Sequence, residues 1–545
     1  MSSTITMPKK KDMNSLLRLC LNSIAANMKE LWAKDYVQNY LEEYNFLYIM
    51  GPFDQLTGRL VQELLKILVD ANQMTRAYLH LLLVPHLSEL SLGGCATIVS
   101  NPICQLISTR CKNLTFLDLQ NCKRIQPSCL VDMVEILPGL RKVNLSGTQC
   151  NTPVLVALGL NCTALRDLDI SNCTMVTSIG LLYLAYDPSR GVTTGSQLRR
   201  LVATDIDSKE SSYSVEAIVF LLLSLTQLEY LEHNCLVDAC YSIATLNFGI
   251  QDCFAKKEGF PSLSELVQLR VNDSKCTISL NLRRMLEVEI GLLENLVPLS
   301  EKVVEASILC GSTLKSGWEQ LLWPNLNQLT LQHCGTHFLA LEELLPVLEN
   351  LGPNLRYLSI QDFCFVHGST IGHILTLCSN LVVFHCHLDC IETNRELDVG
   401  DEEDDDLSVL AMKHYLPRMK EFILRFPDNC SLLPAETRVA IKMALVSLLK
   451  GSSKLEKLLL LSLPFSLDKI FFKVFKETSF ALRSLHTMSL AHSGVSVDTA
   501  FQLLNEDNQL SHLDLSYCQD ISRKDYEQLK RIIHKKKFEM HITWK

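Results

Sequence analysis

One spacing, L-x-x-L-x-L-x-x-C, recurs along the chain and constrains its fold more than any other feature. It is complete at Leu87, Leu90, Leu92 and Cys95, and again at Leu114, Leu117, Leu119 and Cys122. It returns at Leu165, Leu168, Ile170 and Cys173, at Leu326, Leu329, Leu331 and Cys334, and at Leu510, Leu513, Leu515 and Cys518. Looser copies begin at Leu140, Leu198, Leu228, Leu263, Leu355, Leu381, Met419, Leu455 and Leu485. In the most regular stretches the starts lie 25 to 29 residues apart. A period of that length marks a stack of supersecondary units. Alternating Leu-x-Leu is a short strand whose inward side chains pack between neighbouring coils. The Cys, replaced by Thr148 and Ser493 in two copies, sits where the chain leaves the strand at a buried corner that only a small side chain fits. Apolar residues at helical spacing in 129–137 and 154–160 predict the return helices.

This is the spacing of the cysteine-containing leucine-rich repeat. The expected fold is therefore an α/β leucine-rich-repeat solenoid, a horseshoe of about fourteen coils with strands on its concave side. It follows an all-helical region at 13–85 and occupies 86–535, with a flexible tail at 1–12 and a C-terminal cap at 536–545. Two places break the period. Segment 273–323 is irregular, and 282–309 within it reads as helix. The acidic run 395–406, in a loop spanning 391–410, reads as a solvated charged insertion.

Composition narrows the function. Hydrophobic residues make up 47% of the 545 and charged residues 20%, enough apolar material for a continuous core. A net charge of -9 with no domain-sized basic stretch argues against nucleic acid as a partner. No uninterrupted apolar run reaches the roughly 18 residues that span a bilayer, so no membrane is expected either. The polar, basic start MSSTITMPKKKDMN is unlike a signal peptide. A cytoplasmic or nuclear location is expected, where the 21 cysteines act as reduced, small buried hydrophobes.

Ahead of the repeats, Asn14 and Ser15 are good helix N-caps, and the helix that follows carries two apolar stripes. Leu16, Cys20 and Ile24 form one; Leu17 and Leu21 form the other. A helix apolar over so much of its circumference needs neighbours on two sides. One is expected to be a second helix over 55–71, and the other a partner. The pattern Ser15-Leu16-x-x-x-Cys20-x-x-x-Ile24 resembles the BC box, the elongin C-binding helix of the von Hippel-Lindau protein and related ubiquitin-ligase substrate receptors. The PRAME and worm zygotic-defective families place such a helix before leucine-rich repeats. The resemblance implies that Leu16 enters an apolar pocket of elongin C and that Cys20 and Ile24 continue the contact. It implies elongin B as a further partner and cullin-2 rather than cullin-5. The cullin-2 box of those families has an apolar residue, then Pro, then apolar residues three and seven positions later. Here Pro52, Phe53, Leu56 and Leu60 approximate it with the first two in swapped order. The competing reading makes the helices a cap on the first coil of a free-standing protein-binding scaffold or inhibitor.

Catalytic motifs are not evident. There is no G-x-x-x-x-G-K-S/T loop, no G-x-S-x-G elbow and no H-E-x-x-H pair. The best metal-ligand grouping, His385, Cys386, His387 and Cys390, falls on a repeat strand where a Cys is expected anyway. No cofactor, metal or enzymatic activity is expected. Residues flanking the strand leucines point to the concave side. Phe116, Asp118, Gln120, Asp167 and Asp169 make the N-terminal part acidic with an aromatic, and Tyr357 and Gln361 lie further on. Such a face suits a basic segment of a protein substrate.

Overall fold

Aliphatic residues at alternate positions favour extended chain that buries one face, and the repeats form short parallel strands. The computed structural model describes residues 15–34, 52–206, 214–248, 259–270, 278–311, 321, 323–335, 338–364, 366–389, 416–428, 430, 433–478, 482–506, 508–536 and 538–545. The tail 1–12 and the acidic run 395–406 lie outside the described residues. The fold divides into two compact units, one running to Arg284 and including Pro298–Lys302, the other comprising Met285–Val297 and Val303–Lys545.

The first unit opens with three helices, α1 (Leu16–Ala26), α2 (Gly58–Asp70) and α3 (Arg76–Leu82), with a π-helical turn at Met28–Ala33 after α1. The strands β1 (Glu89–Ser91), β2 (Phe116–Asp118), β3 (Lys142–Asn144) and β4 (Asp167–Asp169) come next. A small antiparallel hairpin, β5 (Tyr186–Asp187) and β6 (Val192–Thr193), precedes β7 (Arg200–Val202) and β8 (Tyr230–Glu232). The hairpin aside, these strands form one six-stranded parallel sheet in sequence order. Register aligns Leu90, Leu117, Val143, Leu168, Leu201 and Leu231 in one inward row, each no more than 3% exposed. Burying each such leucine contributes about 1.5–3 kcal/mol. Parallel neighbours require a crossover, supplied here by helices such as Asn101–Arg110, Pro127–Ile136 and Thr152–Asn161. Each of these carries a proline in its first turn, where the missing N–H has no intrahelical partner to lose.

The second unit carries β9 (Arg284–Glu289), β10 (Glu305–Cys310), β11 (Gln328–His333), β12 (Tyr357–Cys364) and β13 (Val383–Asp389). It continues through β14 (Glu421–Arg425), β15 (Lys457–Leu461), β16 (Thr487–Ser489), β17 (His512–Asp514) and β18 (His541–Thr543). These strands form a ten-stranded sheet in sequence order. Its inward row includes Leu358, Phe384, Phe422, Leu458 and Met488, with the Phe384 and Phe422 rings 5.7 Å apart in the core. Both units have the leucine-rich-repeat fold. No helix among the described residues is long and apolar enough to cross a membrane.

The strand exits share a device. The Asp118 carboxylate accepts from Gln120 N at 3.0 Å, Asn144 Oδ1 from Ser146 N at 2.9 Å, and the Asp169 carboxylate from Ser171 N at 3.0 Å. Asp514 does the same with Ser516 N at 3.1 Å. The next residue in each case is left-handed: Asn121, Gly147, Asn172 and Tyr517 have φ between 57° and 64°. The chain then reaches the buried small residue of the corner. Cys173 and Cys518 donate their thiols to Leu145 O and Leu490 O, at 3.1 and 3.2 Å.

Two expectations fail in the middle. The looser copy at Leu263 is a helix, Leu263–Arg270, with Leu263 and Leu266 buried. Segment 282–309, expected to be helical, instead holds β9, a 3-10 turn Ile290–Leu292, a helix Leu293–Leu299 and β10. The cause is local. Glu287 adopts φ 55° inside β9, so the buried residues are Met285 and Val288, a spacing of three that imitates a helix. A similar irregularity at Asp362, φ 65°, puts Ile360 and Phe363 on the buried side of β12.

Candidate partner-binding helix

Ser15 caps α1 by accepting a hydrogen bond from Arg18 N at 3.2 Å. On one side of α1 and the turn after it, Leu21, Ala25 and Met28 are 3%, 7% and 0% exposed. Their i, i+4, i+7 spacing places them on a single face, and α1 packs on α2. An ion pair between Arg18 and Glu63, 3.6 Å apart, borders that contact. Several other apolar residues of α1 are uncovered. Leu16 is 78% exposed, Leu17 52% and Leu19 53%. Cys20 is exposed and Ile24 half-buried. The expected stripe of Leu16, Cys20 and Ile24 therefore lies on the open side of α1, becoming covered toward its C-terminal end.

The cap on the first coil is made by α2. Gln62 Nε2 donates to Glu89 O, on the edge strand β1, at 3.2 Å. His86 Nε2 lies 2.6 Å from Leu56 O, tying the entry of α2 to the chain just before β1. Val69 of α2 occupies the space that a side chain at Gly94 would need. The buried residues of α2 are Val61, Leu64, Leu65 and Leu68, and it is this helix that meets both α1 and the first coil. Exposing a leucine forgoes about 1.5–3 kcal/mol, and α1 does so at three positions without covering the repeats.

Of the second set, Pro52 is exposed while Leu56 and Leu60 are half-buried. Phe53 departs from the expectation of an outward contact. It is 4% exposed, and its ring meets Trp32 edge-on at 5.6 Å inside the helical region. Trp32 and Leu31, 36% and 59% exposed, are further apolar surface outside both motifs. Their signal was the Leu-Trp pair directly after the first helix.

The strand faces correct a second expectation. Phe116, Asp118, Asp167 and Asp169 are half-buried and Gln120 is exposed, yet the face of the first unit is not a free acidic surface. Asp118 accepts from Ser91 Oγ at 2.6 Å, and Asp169 from Ser171 Oγ at 2.7 Å. Asp167 lies 3.8 Å from Lys142 Nζ. Glu232 meets Arg200 at 3.7 Å and Arg284 at 2.6 Å. Basic residues on neighbouring coils pair with Asp167 and Glu232, while Asp118 and Asp169 are tied down by neutral donors.

In the second unit Tyr357 meets the His385 ring edge-on at 5.5 Å, and Gln361 donates to Ser359 Oγ at 3.2 Å. His385 Nε2 sits 3.1 Å from Glu421 Oε1. Burial lowers the His385 pKa, and Glu421 only partly opposes this. Strand alternation sends Cys386 into the core at 0% exposure, away from His385 and His387. Cys390 lies outside the described residues. Among the described residues no group of three or more His, Cys, Asp or Glu is placed to hold a metal ion.

No protein-family model matches the chain. Solved structures similar to it include a chain of the Rad7 and Elc1 complex in yeast, at 15% identity and TM-score 0.37, covering 95% of this chain and 91% of that one. An internalin from Listeria monocytogenes is similar at 11% identity and TM-score 0.34, over 82% of this chain and 88% of the other. The leucine-rich-repeat-containing protein LegL7 from Legionella pneumophila is similar at 12% identity and TM-score 0.29, over 64% of this chain and 95% of that one. At such identities and scores these likenesses say nothing about what this chain binds.

Proposed function

We propose that α1 docks into an apolar groove of elongin C. On this reading the chain is the non-catalytic, protein-binding subunit of an elongin B/C–cullin ubiquitin ligase, acting in the cytoplasm or nucleus. The observation that carries it is the division of labour between the first two helices. Because α2 closes the first coil, the cap reading leaves the open stripe of α1 unexplained. That stripe has Leu16 78% exposed and Cys20 one turn on. A helix presenting anchors at i and i+4 is the usual ligand of a hydrophobic groove. The chain supplies no reacting group in this role. A target held by the repeats gains effective concentration beside the ubiquitin-charged enzyme, and proximity does the rest. Cullin-2 is the proposed scaffold rather than cullin-5, and with Phe53 buried its contacts would fall on Pro52, Leu56 and Leu60.

Co-purification with elongin B and elongin C tests this, comparing wild type with Leu16→Ser, Cys20→Ser. Each lost anchor should cost about 2 kcal/mol or more of binding, while an unchanged melting curve shows that the variant folds. A complex formed by wild type and lost in the folded variant supports the reading. No complex with wild type sinks it and leaves a capped protein-binding scaffold.

A further inference from the structure

The outward face of the ten-stranded sheet changes character at β14 and β15. One cross-strand row reads Thr330, Ser359, His385, Ile423, Leu459, Ser489, Asp514 and Thr543. Polar residues flank an aliphatic pair on both sides. In the next row Arg425 stands opposite Leu461. Leu459 and Leu461 face outward, half-buried, on a strand whose core-facing residues are Leu458 and Leu460, so they do not serve the core. Instead they floor a groove of about 450 Å³ that Arg425, Lys457 and His512 border.

The charges around this floor are unevenly satisfied. Glu421 meets Lys457 at 2.7 Å and His385 at 3.1 Å. Asp428 accepts from Ser462 Oγ at 2.6 Å. Asp514 accepts from the hydroxyls of Ser489, Ser516 and Thr543 at 2.9, 2.6 and 2.7 Å. Glu421 is thus ion-paired, while Asp428 and Asp514 are held by neutral hydroxyls. The Arg425 side chain is exposed and makes no ion pair or hydrogen bond among the described residues, and its charge, after Ser462 and His492, helps hold the Asp428 carboxyl below the usual range. Its planar fork is suited to a carboxylate, and the aliphatic floor beside it to a branched side chain.

We propose that this groove is the target-binding site of the chain, and that it takes an extended segment of another protein carrying an acidic residue next to a bulky aliphatic one. The acid pairs with Arg425 and the aliphatic side chain lies on Leu459 and Leu461. This names the class of target for the receptor proposed above. It rests on the strand face being a protein-binding surface and is independent of whether α1 binds elongin C.

The test is selection from a random-peptide display library on the full-length chain, followed by anisotropy titration of the selected peptides. Enriched peptides should combine Asp or Glu with a neighbouring Leu, Ile, Val or Met. Their affinity should fall roughly tenfold or more in Leu459→Ser and in Arg425→Glu. Replacing the peptide's acid by Lys should restore binding to Arg425→Glu, a recovery that a misfolded variant cannot give. Absence of enrichment, enrichment of basic peptides, or undiminished binding by both variants would overturn the proposal. So would self-association of the chain that Arg425→Glu abolishes, since the groove would then seat a second copy. Elongin C capture run on the same samples separates the two readings, because neither substitution touches α1.

Discussion

The side-chain amide of Gln62 donates to the main-chain carbonyl of Glu89 at 3.2 Å, so the open edge of β1 is closed by a group from α2. The consequence is a separation of stability from exposure at the N-terminus. Leu68, 0% exposed on α2, should cost about 2–5 kcal/mol when changed to Ala. Leu16→Ala, at a position 78% exposed, should stay within about 0.5 kcal/mol. Urea denaturation of the two variants checks this. A Leu16 variant as damaged as the Leu68 variant would return α1 to the role of a cap.

The cysteines offer a chemical version of the same measurement. Burial pushes the thiols of Cys111, Cys240 and Cys386 up to about 12, leaving almost no thiolate at neutral pH. Cys20 and Cys334 are the exposed cysteines among those described. Iodoacetamide at neutral pH should therefore modify these two in the folded chain and spare the buried three until denaturant is added. With elongins B and C present, peptide mapping should show Cys20 protected and Cys334 unchanged. Equal labelling of Cys20 with and without the elongins would count against docking through α1.

The strand exits make Asp169 a structural residue. Its carboxylate accepts from both Ser171 N, at 3.0 Å, and Ser171 Oγ, at 2.7 Å. Asp169→Ala leaves that half-buried amide without its acceptor and should destabilise the chain by about 1–3 kcal/mol. Asp169→Asn retains an acceptor oxygen and should recover most of the loss. Chemical denaturation of the two variants decides it. An Ala variant as stable as wild type would mean that the left-handed Asn172 holds the exit unaided.

Much of this fold was legible in the repeat spacing, because leucine periodicity and a small corner residue answer directly to strand alternation and close packing. The exits were written there too, as Asp or Asn two places before a polar residue, but a single strand shows such an acid only as surface charge. The partner two places on is local, as in Asp169 and Ser171, but a base on the neighbouring coil appears only once the coils stack, as Lys142 beside Asp167 illustrates. Segment 282–309 departs from its helical expectation for a different reason. One left-handed residue, Glu287, shifts the alternation of β9, and no residue type announces a positive φ at glutamate. For α1 the sequence marked the stripe of Leu16, Cys20 and Ile24. It left open which side would be covered, since that depends on where α2 packs.

His233 carries the last prediction, which concerns pH. Its Nδ1 is 3.0 Å from Cys235 N and accepts that N–H, so the folded chain needs the imidazole neutral with its proton on Nε2. Burial lowers its pKa from 6.5 to about 4. A group whose folded pKa lies below its unfolded value contributes stability that is complete above the unfolded pKa. That contribution is lost as pH falls toward the folded pKa. Between pH 7 and pH 5 the loss should be on the order of 1–2 kcal/mol. His80, also lowered to about 4 by burial and then by Arg110, adds to the same slope, so a single variant should flatten it only in part. His233→Asn keeps an acceptor for Cys235 N and removes the titration. Urea midpoints for wild type and His233→Asn across this range measure the difference. Parallel slopes would show that protonated His233 is accommodated without breaking the turn.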